Sequence, residues 1–200
     1  VVVAGISAGG FGTAFNFDRF ADAYAPLDVT IVDDSGPPMA NDFLKPCLQK
    51  KFDGLWNMSS NIPADCKDCV KPDGSFIEPF IGHVLKKRQN LRFGLISSQN
   101  DETISQFWSF GNADCASDFP DVYPAGKYGE GLVDLRDRLL KTNDNARVFY
   151  LTGAQHVWLL PADKTKTQSL ADVKVGSDTL ADWLTGARDG GAKWKNVSAF

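Results

Sequence analysis

The chain has 200 residues, of which 43% are hydrophobic and 23% are charged, and this composition predicts one globular domain built around a single core. A net charge of −4 excludes the strongly basic surface by which proteins hold nucleic acid or anionic membranes. No apolar stretch approaches the ~20 residues that a membrane-spanning helix needs, so we expect neither a nucleic-acid partner nor a membrane span.

The first predicted element is a strand that runs directly into a serine-centred turn. Val1 to Ala4 form an apolar run that we expect to be buried, and Gly5-Ile6-Ser7-Ala8-Gly9 then matches the pattern G-x-S-x-G. In this pattern the residues two before and two after the serine must be nearly without side chain, because the strand turns sharply into a helix. Apolar residues at spacings of three and four from Phe11 to Phe20 predict that helix. We therefore expect Ser7 to be a nucleophile.

Strands and helices alternate through the rest of the chain, which predicts an α/β fold with a mostly parallel sheet. The later strands are expected over residues 27–32, 91–98 and 146–152, and the later helices over residues 76–88, 132–140 and 178–187. A loop-rich insertion that carries prolines and cysteines, over residues 37–74, is expected to cover the carboxyl edge of the sheet. We interpret residues 1–200 as a single domain.

Four cysteines are present, at Cys47, Cys66, Cys69 and Cys115. An even count predicts two disulfides in an exported protein, secreted or periplasmic, and leaves three connectivities open. Cys66 and Cys69 also have the C-x-x-C spacing of redox and zinc sites. They lie in a polar loop after Pro63, and the other two cysteines are far apart, so structural disulfides are favoured over redox or metal chemistry. No metal and no cofactor are predicted.

A serine nucleophile needs a base to take its proton and an acid to orient that base. The chain has two histidines, His83 and His156. His83 falls within a predicted helix, whereas His156 follows the last clear strand. Because α/β-hydrolases carry their triad in the chain order Ser, acid, His, each after a strand, His156 is the predicted base.

Asp101 is the predicted acid of the triad. It follows the strand over residues 91–98, whose last residues change from apolar to small and polar, as expected where a chain leaves a buried sheet at its functional edge. Glu102, Asp33 and Asp34 are the alternatives, although the last two also suit a turn or a pocket lining. The backbone N–H of Ala8 is expected to be one oxyanion donor, and such folds take the second from a loop after an earlier strand.

Several segments together carry a resemblance to a known family. They are Gly5 to Gly10, Asn16-Phe17-Asp18, Val32 to Gly36, Gln99-Asn100-Asp101, and, in the insertion, Cys47-Leu48, Trp56 and Pro63-Ala64-Asp65-Cys66. These segments resemble the pectin acetylesterase/Notum family of carboxylesterases over most of residues 1 to about 160. The resemblance implies an α/β-hydrolase fold, a triad of Ser7, Asp101 and His156, and cleavage of carboxylic esters. In such folds several strands precede the elbow, so we expect this chain to lack the N-terminal strands of the sheet.

The expected substrate is an ester, either an O-acetyl group on a polysaccharide, as the resemblance implies, or a short-chain or lipid acyl ester. Trp108 and Trp158, together with Trp56, are predicted to offer an aromatic platform for sugar rings or acyl chains, although tryptophans also fill cores. A non-catalytic binding domain on a hydrolase scaffold is the alternative from another functional class. The sequence predicts no particular oligomeric state.

Overall fold

The computed structural model describes residues 1–160 and 169–200. Its strands are β1 (Val2–Ile6), β2 (Thr30–Asp34), β3 (Arg92–Ser98), β4 (Ala146–Leu151), β5 (Lys174–Val175), β6 (Asp178–Thr179) and β7 (Val197–Ser198). Its helices are α1 (Ala8–Phe15), α2 (Phe17–Tyr24), α3 (Pro46–Trp56), α4 (Ile77–Lys87), α5 (Glu102–Ser109), α6 (Lys127–Asp134) and α7 (Leu180–Asp189). Short 3-10 turns cover Met58–Asn61 and Asn112–Cys115, and α6 continues as a π-helical segment, Leu135–Leu140.

Five strands form one parallel sheet in the order β1-β2-β3-β4-β7, and β5 pairs with β6 in a separate antiparallel ribbon. This arrangement confirms the predicted α/β class with a mostly parallel sheet. Because the strands are parallel, the carboxyl ends of β1 to β4 all lie at one edge of the sheet. The turns that leave those ends are therefore neighbours in space.

Alternating residues of β4 pack into two separate cores, one on each face of the sheet. On β4, Val148 and Tyr150 belong to the larger core, which also contains residues of α1 and α4. Phe149 and Leu151 belong to the smaller core, which contains Trp183 of α7. This period of two, with apolar residues on both faces, is what a strand covered on both sides requires.

The first strand and the first helix differ from the predicted ones. The first strand lies at an edge of the described sheet rather than inside it, and Val2 is 47% exposed because β1 pairs only with β2. The predicted helix from Phe11 to Phe20 is two helices, and the side chain of Asn16 donates to the carbonyl of Gly12 where they meet. Such side-chain bonds compete with the helical ladder.

The second strand begins three residues later than predicted and ends two residues later, so that Asp33 and Asp34 end the strand itself and are fully buried. Helices α3 and α5 did not feature in the sequence prediction. Their signals are present, however: Pro46 is the first residue of α3, and Asp101 is the residue that caps α5.

The four cysteines form two disulfides, Cys47–Cys115 and Cys66–Cys69, as the even count predicted. The first joins residues 68 positions apart and connects α3 to the chain that follows α5. The second joins residues only 3 positions apart and closes a short turn. Within the described ranges, no helix combines the length and the apolar character needed to cross a membrane.

Candidate active site

The turn between β1 and α1 holds Ser7 in a conformation that residues with a side chain rarely adopt, with φ 54° and ψ −126°. Such backbone strain costs about 1–3 kcal/mol and concentrates at functional sites. The N–H of Ser7 donates to the carbonyl of Asp34 at 2.7 Å, which fixes the turn to β2. The sharp turn expected of the G-x-S-x-G pattern is therefore present.

The crowding in this turn falls on two glycines. A Cβ on Gly5 would lie 2.1 Å from the carbonyl oxygen of Gly9, so any side chain there would clash with the backbone. A Cβ on Gly10 would lie 2.4 Å from Oδ1 of Asp33. Gly9 itself has open space, so the expectation that the residue two after the serine must lack a side chain is wrong for this turn. Gly10 carries that constraint, because β2 passes beside it.

Three of the predicted site residues form one chain of hydrogen bonds. The hydroxyl of Ser7 lies 2.7 Å from Nε2 of His156, and Nδ1 of His156 lies 2.9 Å from Oδ2 and 3.1 Å from Oδ1 of Asp101. With Nδ1 donating to the carboxylate, Nε2 is free to accept the serine proton. Asp101 is fully buried, whereas the imidazole is 24% exposed. This geometry lets a base take a proton from Ser7 while a buried carboxylate orients the base.

Asp101 is held by the helix that follows it. Its Oδ1 accepts the backbone N–H of Ile104 at 2.9 Å, which makes Asp101 the N-cap of α5. The positive end of the helix dipole favours a negative charge at this position. Close by, the hydroxyl groups of Tyr128 and Ser97 lie 3.0 Å apart. Burial, and then the charge of Asp101, raise the pKa of Tyr128, which therefore stays protonated.

A second carboxylate holds the loop that carries His156. One oxygen of Asp34, Oδ2, accepts the backbone N–H groups of both Trp158 and Leu159 at 2.7 Å. Burial raises the pKa of Asp34 to about 6, against the opposing effects of these hydrogen bonds and of nearby His156. Asp34 thus contacts the backbone of the loop and not the imidazole.

The end of β3 holds the same loop from the other side. The hydroxyl of Ser98 donates to the carbonyl of Gln155 at 2.6 Å, and the indole N–H of Trp158 donates to the Ser98 oxygen at 3.0 Å. Residues on both sides of His156 in sequence are therefore anchored to neighbouring strand ends. The imidazole is positioned by its backbone as well as by its own hydrogen bonds.

The alternative acids and the other histidine lie in different surroundings. Oδ1 of Asp33 accepts the N–H of Gly36 at 2.8 Å, and its other oxygen is buried with no hydrogen-bond partner among the described residues. Glu102 is exposed on the first turn of α5. Nε2 of His83, on α4, lies 3.4 Å from Oδ2 of Asp65.

A largely apolar cavity of about 370 Å³ opens beside Ser7. Its walls come from α1, from α3 with the 3-10 turn that follows, and from α5. The lining residues are Ser7, Ala8, Phe11, Gly12, Phe15, Asn16, Gly36, Phe52, Trp56, Met58, Asn61, Ile104, Phe107 and Trp108. Sequence reasoning missed the part of this wall that comes from α3 and α5, apart from Trp56 and Trp108.

The predicted tryptophans lie in two places. Trp108 is buried in the cavity wall, and its indole N–H has no hydrogen-bond partner among the described residues. Trp56 also lines the cavity and is 62% exposed. Trp158 does not line it: this residue borders a different cavity, beyond the end of β4, and is held there by Asp34 and Ser98. The structure therefore brings Trp108, but not Trp158, to the space beside Ser7.

Ala8 borders the cavity as the first residue of α1. The first backbone N–H groups of a helix have no partner within the helix, and the helix dipole makes that end favourable to negative charge. Phe11 is the first residue of α1 whose N–H donates back to the turn, to the carbonyl of Ser7 at 3.1 Å. The N–H of Ala8 is thus suited to an oxyanion beside the serine.

Among residues 1–160 and 169–200, no group of three or more histidine, cysteine, aspartate or glutamate side chains is arranged to hold a metal ion. Comparison of the chain with known protein families and with curated proteins finds no match to either.

Proposed function

We propose that this protein is a serine carboxylesterase of the α/β-hydrolase type. The observation that carries the proposal is the hydrogen-bonded series from Ser7 through His156 to Asp101, with the serine on a strained turn between a parallel strand and a helix. In α/β-hydrolases the nucleophile occupies such a turn, and its partners follow in the order found here. The family resemblance of the sequence points to the same chemistry.

In the proposed reaction the Ser7 oxygen attacks the ester carbonyl while Nε2 of His156 takes the serine proton. Asp101 keeps the imidazole in the tautomer that can accept this proton and stabilises the imidazolium that forms. The backbone N–H of Ala8 donates to the oxyanion. His156 then returns the proton to the leaving alcohol, which leaves an acyl group on Ser7. A water molecule, activated in turn by His156, hydrolyses that acyl-enzyme.

Two substrate classes are candidates. The family resemblance favours acetyl groups on a polysaccharide. The cavity beside Ser7 favours an ester with a longer apolar acyl group, because phenylalanine, tryptophan, methionine and isoleucine side chains form most of its wall. The disulfides support a secreted or periplasmic location for either activity, since such bonds persist in oxidising compartments.

Labelling with a fluorophosphonate probe tests the proposed chemistry, together with hydrolysis of p-nitrophenyl acetate. We expect the wild type to be labelled, and Ser7→Ala to lose both labelling and at least about 10⁴-fold in kcat. Ser117→Ala, which removes a hydroxyl from an exposed loop, is the matched control and should behave as wild type. A wild-type protein that neither labels nor hydrolyses the ester would favour a non-catalytic binding domain.

The two substrate classes are separated by a series of acetyl, butyryl and octanoyl p-nitrophenyl esters, followed by acetylated pectin and xylan. Release of acetate from a polymer, with no gain in kcat/KM along the ester series, would support the polysaccharide. A rise in kcat/KM toward octanoyl, with no acetate released from either polymer, would overturn the polysaccharide assignment. The longer acyl ester would then be the favoured substrate class.

A further inference from the structure

The cavity beside Ser7 follows the whole length of α1. The cavity is lined by residues of α1 and its two flanking positions. They form adjacent pairs that recur every four residues: Ser7 and Ala8, Phe11 and Gly12, Phe15 and Asn16. Residues four apart lie on the same face of a helix. With a rise of about 1.5 Å per residue, Ala8 and Asn16 are roughly 12 Å apart along the axis. The cavity is therefore a channel that begins at the serine and ends near Asn16.

The two ends of this channel differ in polarity. At the far end, the side-chain amide of Asn61 donates to Oδ1 of Asn16 at 3.2 Å. Between that pair and the serine, the wall is aromatic: the ring centroid of Phe11 lies 5.9 Å from that of Phe52 and 6.1 Å from that of Trp108, so these rings pack on one another and form one continuous surface. An unbranched apolar chain attached at Ser7 matches this sequence of surroundings, since it would remain in contact with apolar atoms until the two asparagines.

Gly12 lies halfway along the channel and has no steric reason to be glycine. A Cβ built on it meets no atom within 4 Å, and its backbone is ordinary helix. Gly5, in the turn before α1, and Gly10, in the first turn of α1, have no such room. A glycine inside a helix is less stable than an alanine, so the fold alone does not favour Gly12. What the missing side chain does is keep the channel open.

We propose that Gly12, by lacking a side chain, sets the length of acyl chain that the channel accepts. Gly12 lies roughly 6 Å beyond Ala8 along the helix axis. An acetyl group on Ser7 ends before this point, whereas an octanoyl group extends beyond it. This inference rests on the proposed esterase function, because it assumes that Ser7 carries the acyl group.

The test compares kcat/KM for p-nitrophenyl octanoate and acetate in the wild type, Gly12→Ala and Gly12→Leu. Each methylene group kept out of apolar surroundings costs about fourfold. We expect the octanoate-to-acetate ratio to fall at least tenfold in Gly12→Leu, and by a smaller factor in Gly12→Ala. Gly54→Ala is the matched control, since Gly54 is also helical and also has open space, but lies outside the cavity. Its ratio should equal that of the wild type.

Thermal unfolding shows whether the variants are folded. Replacing a helical glycine by alanine should raise Tm by about 2–4 °C at both positions. A folded Gly12→Leu protein with an unchanged ratio, or with equal losses on both esters, would overturn the inference and leave the esterase proposal intact.

If the wild type hydrolyses neither ester, the esterase proposal fails, and calorimetric titration with octanoic acid then tests the channel by itself. Binding to the wild type that is at least tenfold weaker in Gly12→Leu would support the role of Gly12. Equal binding to both proteins, or binding to neither, would overturn it.

Discussion

The ends of β2 and β3 both direct a buried aspartate toward the loop that carries His156, but the two aspartates contact different atoms of that loop. Asp101, after β3, accepts from the imidazole. Asp34, the last residue of β2, accepts from the backbone N–H groups of Trp158 and Leu159. A carboxylate on the ring controls its tautomer and its charge, whereas one on the backbone controls where the loop lies. The atom contacted, and not the position at a strand end, distinguishes the two roles.

The strand register accounts for part of this difference. Asp34 pairs with Ile96, and β3 continues beyond Ile96 to Ser98 before the chain turns toward Asp101. The acid of β3 is therefore carried further along the edge of the sheet than the acid of β2. Asp101 is then fixed as the cap of α5, while Asp34 is fixed within the sheet.

Asp101→Asn gives the largest effect expected from this comparison. Asparagine caps a helix as well as aspartate does, so α5 should persist. Its amide would favour the wrong imidazole tautomer, and such a change lowers kcat by about 10⁴. The measurement is steady-state hydrolysis of p-nitrophenyl acetate, with far-UV circular dichroism to monitor folding. Glu102→Gln, an exposed carboxylate one residue later, is the control and should retain wild-type kcat.

The comparison would be reversed if Asp101→Asn kept near-normal turnover while a change at Asp34 or Asp33 abolished it. In that case the strand next to the elbow would supply the acid. The loop that carries His156 would then have to move, so that Asp34 or Asp33 contacts the imidazole in the active protein.

Asp34→Ala should have an intermediate effect. It removes the acceptor of two N–H groups, and misplacing a catalytic group by about 1 Å can cost 10²-fold. We expect kcat to fall by about 10–100-fold and KM to change little, because Asp34 does not line the cavity beside Ser7. Asp34→Asn should recover most of that loss, since one amide oxygen can accept both N–H groups. An Asp34→Ala protein with wild-type kcat would show that the loop needs no such anchor.

The sequence was sufficient to single out the three side chains that meet at the edge of the sheet. Ser7, Asp101 and His156 each follow a strand with a recognisable apolar pattern, and parallel strands end at one edge, so local signals determine their proximity. Their hydrogen bonds are present in the structure, while their catalytic roles remain predictions.

The insertion and the orientation of single side chains were harder to predict. Helix α3 lies in a segment rich in prolines and cysteines, and part of it faces solvent, so its contribution to the cavity depends on tertiary packing. The direction of Trp158 depends on hydrogen bonds to Asp34 and Ser98, which are distant in sequence. The sequence favoured Asp101 as the acid, but it did not predict that Asp34 would hold the backbone of the same loop, because that contact joins residues distant in sequence.

Asp33→Asn should have the smallest effect on catalysis and a clear effect on stability. Burial, and then the charge of Asp34, raise the pKa of Asp33 well above its ordinary value of 3.8. The folded protein therefore keeps a proton that the unfolded chain loses, and the free energy of unfolding falls as pH rises through this range. Asp34 contributes the same sign of slope up to its pKa of about 6. Urea unfolding of both proteins from about pH 4 upward separates the contribution of Asp33: the wild type should lose stability with rising pH, and Asp33→Asn should lose less, with kcat nearly unchanged. Parallel slopes in the two proteins would contradict this assignment.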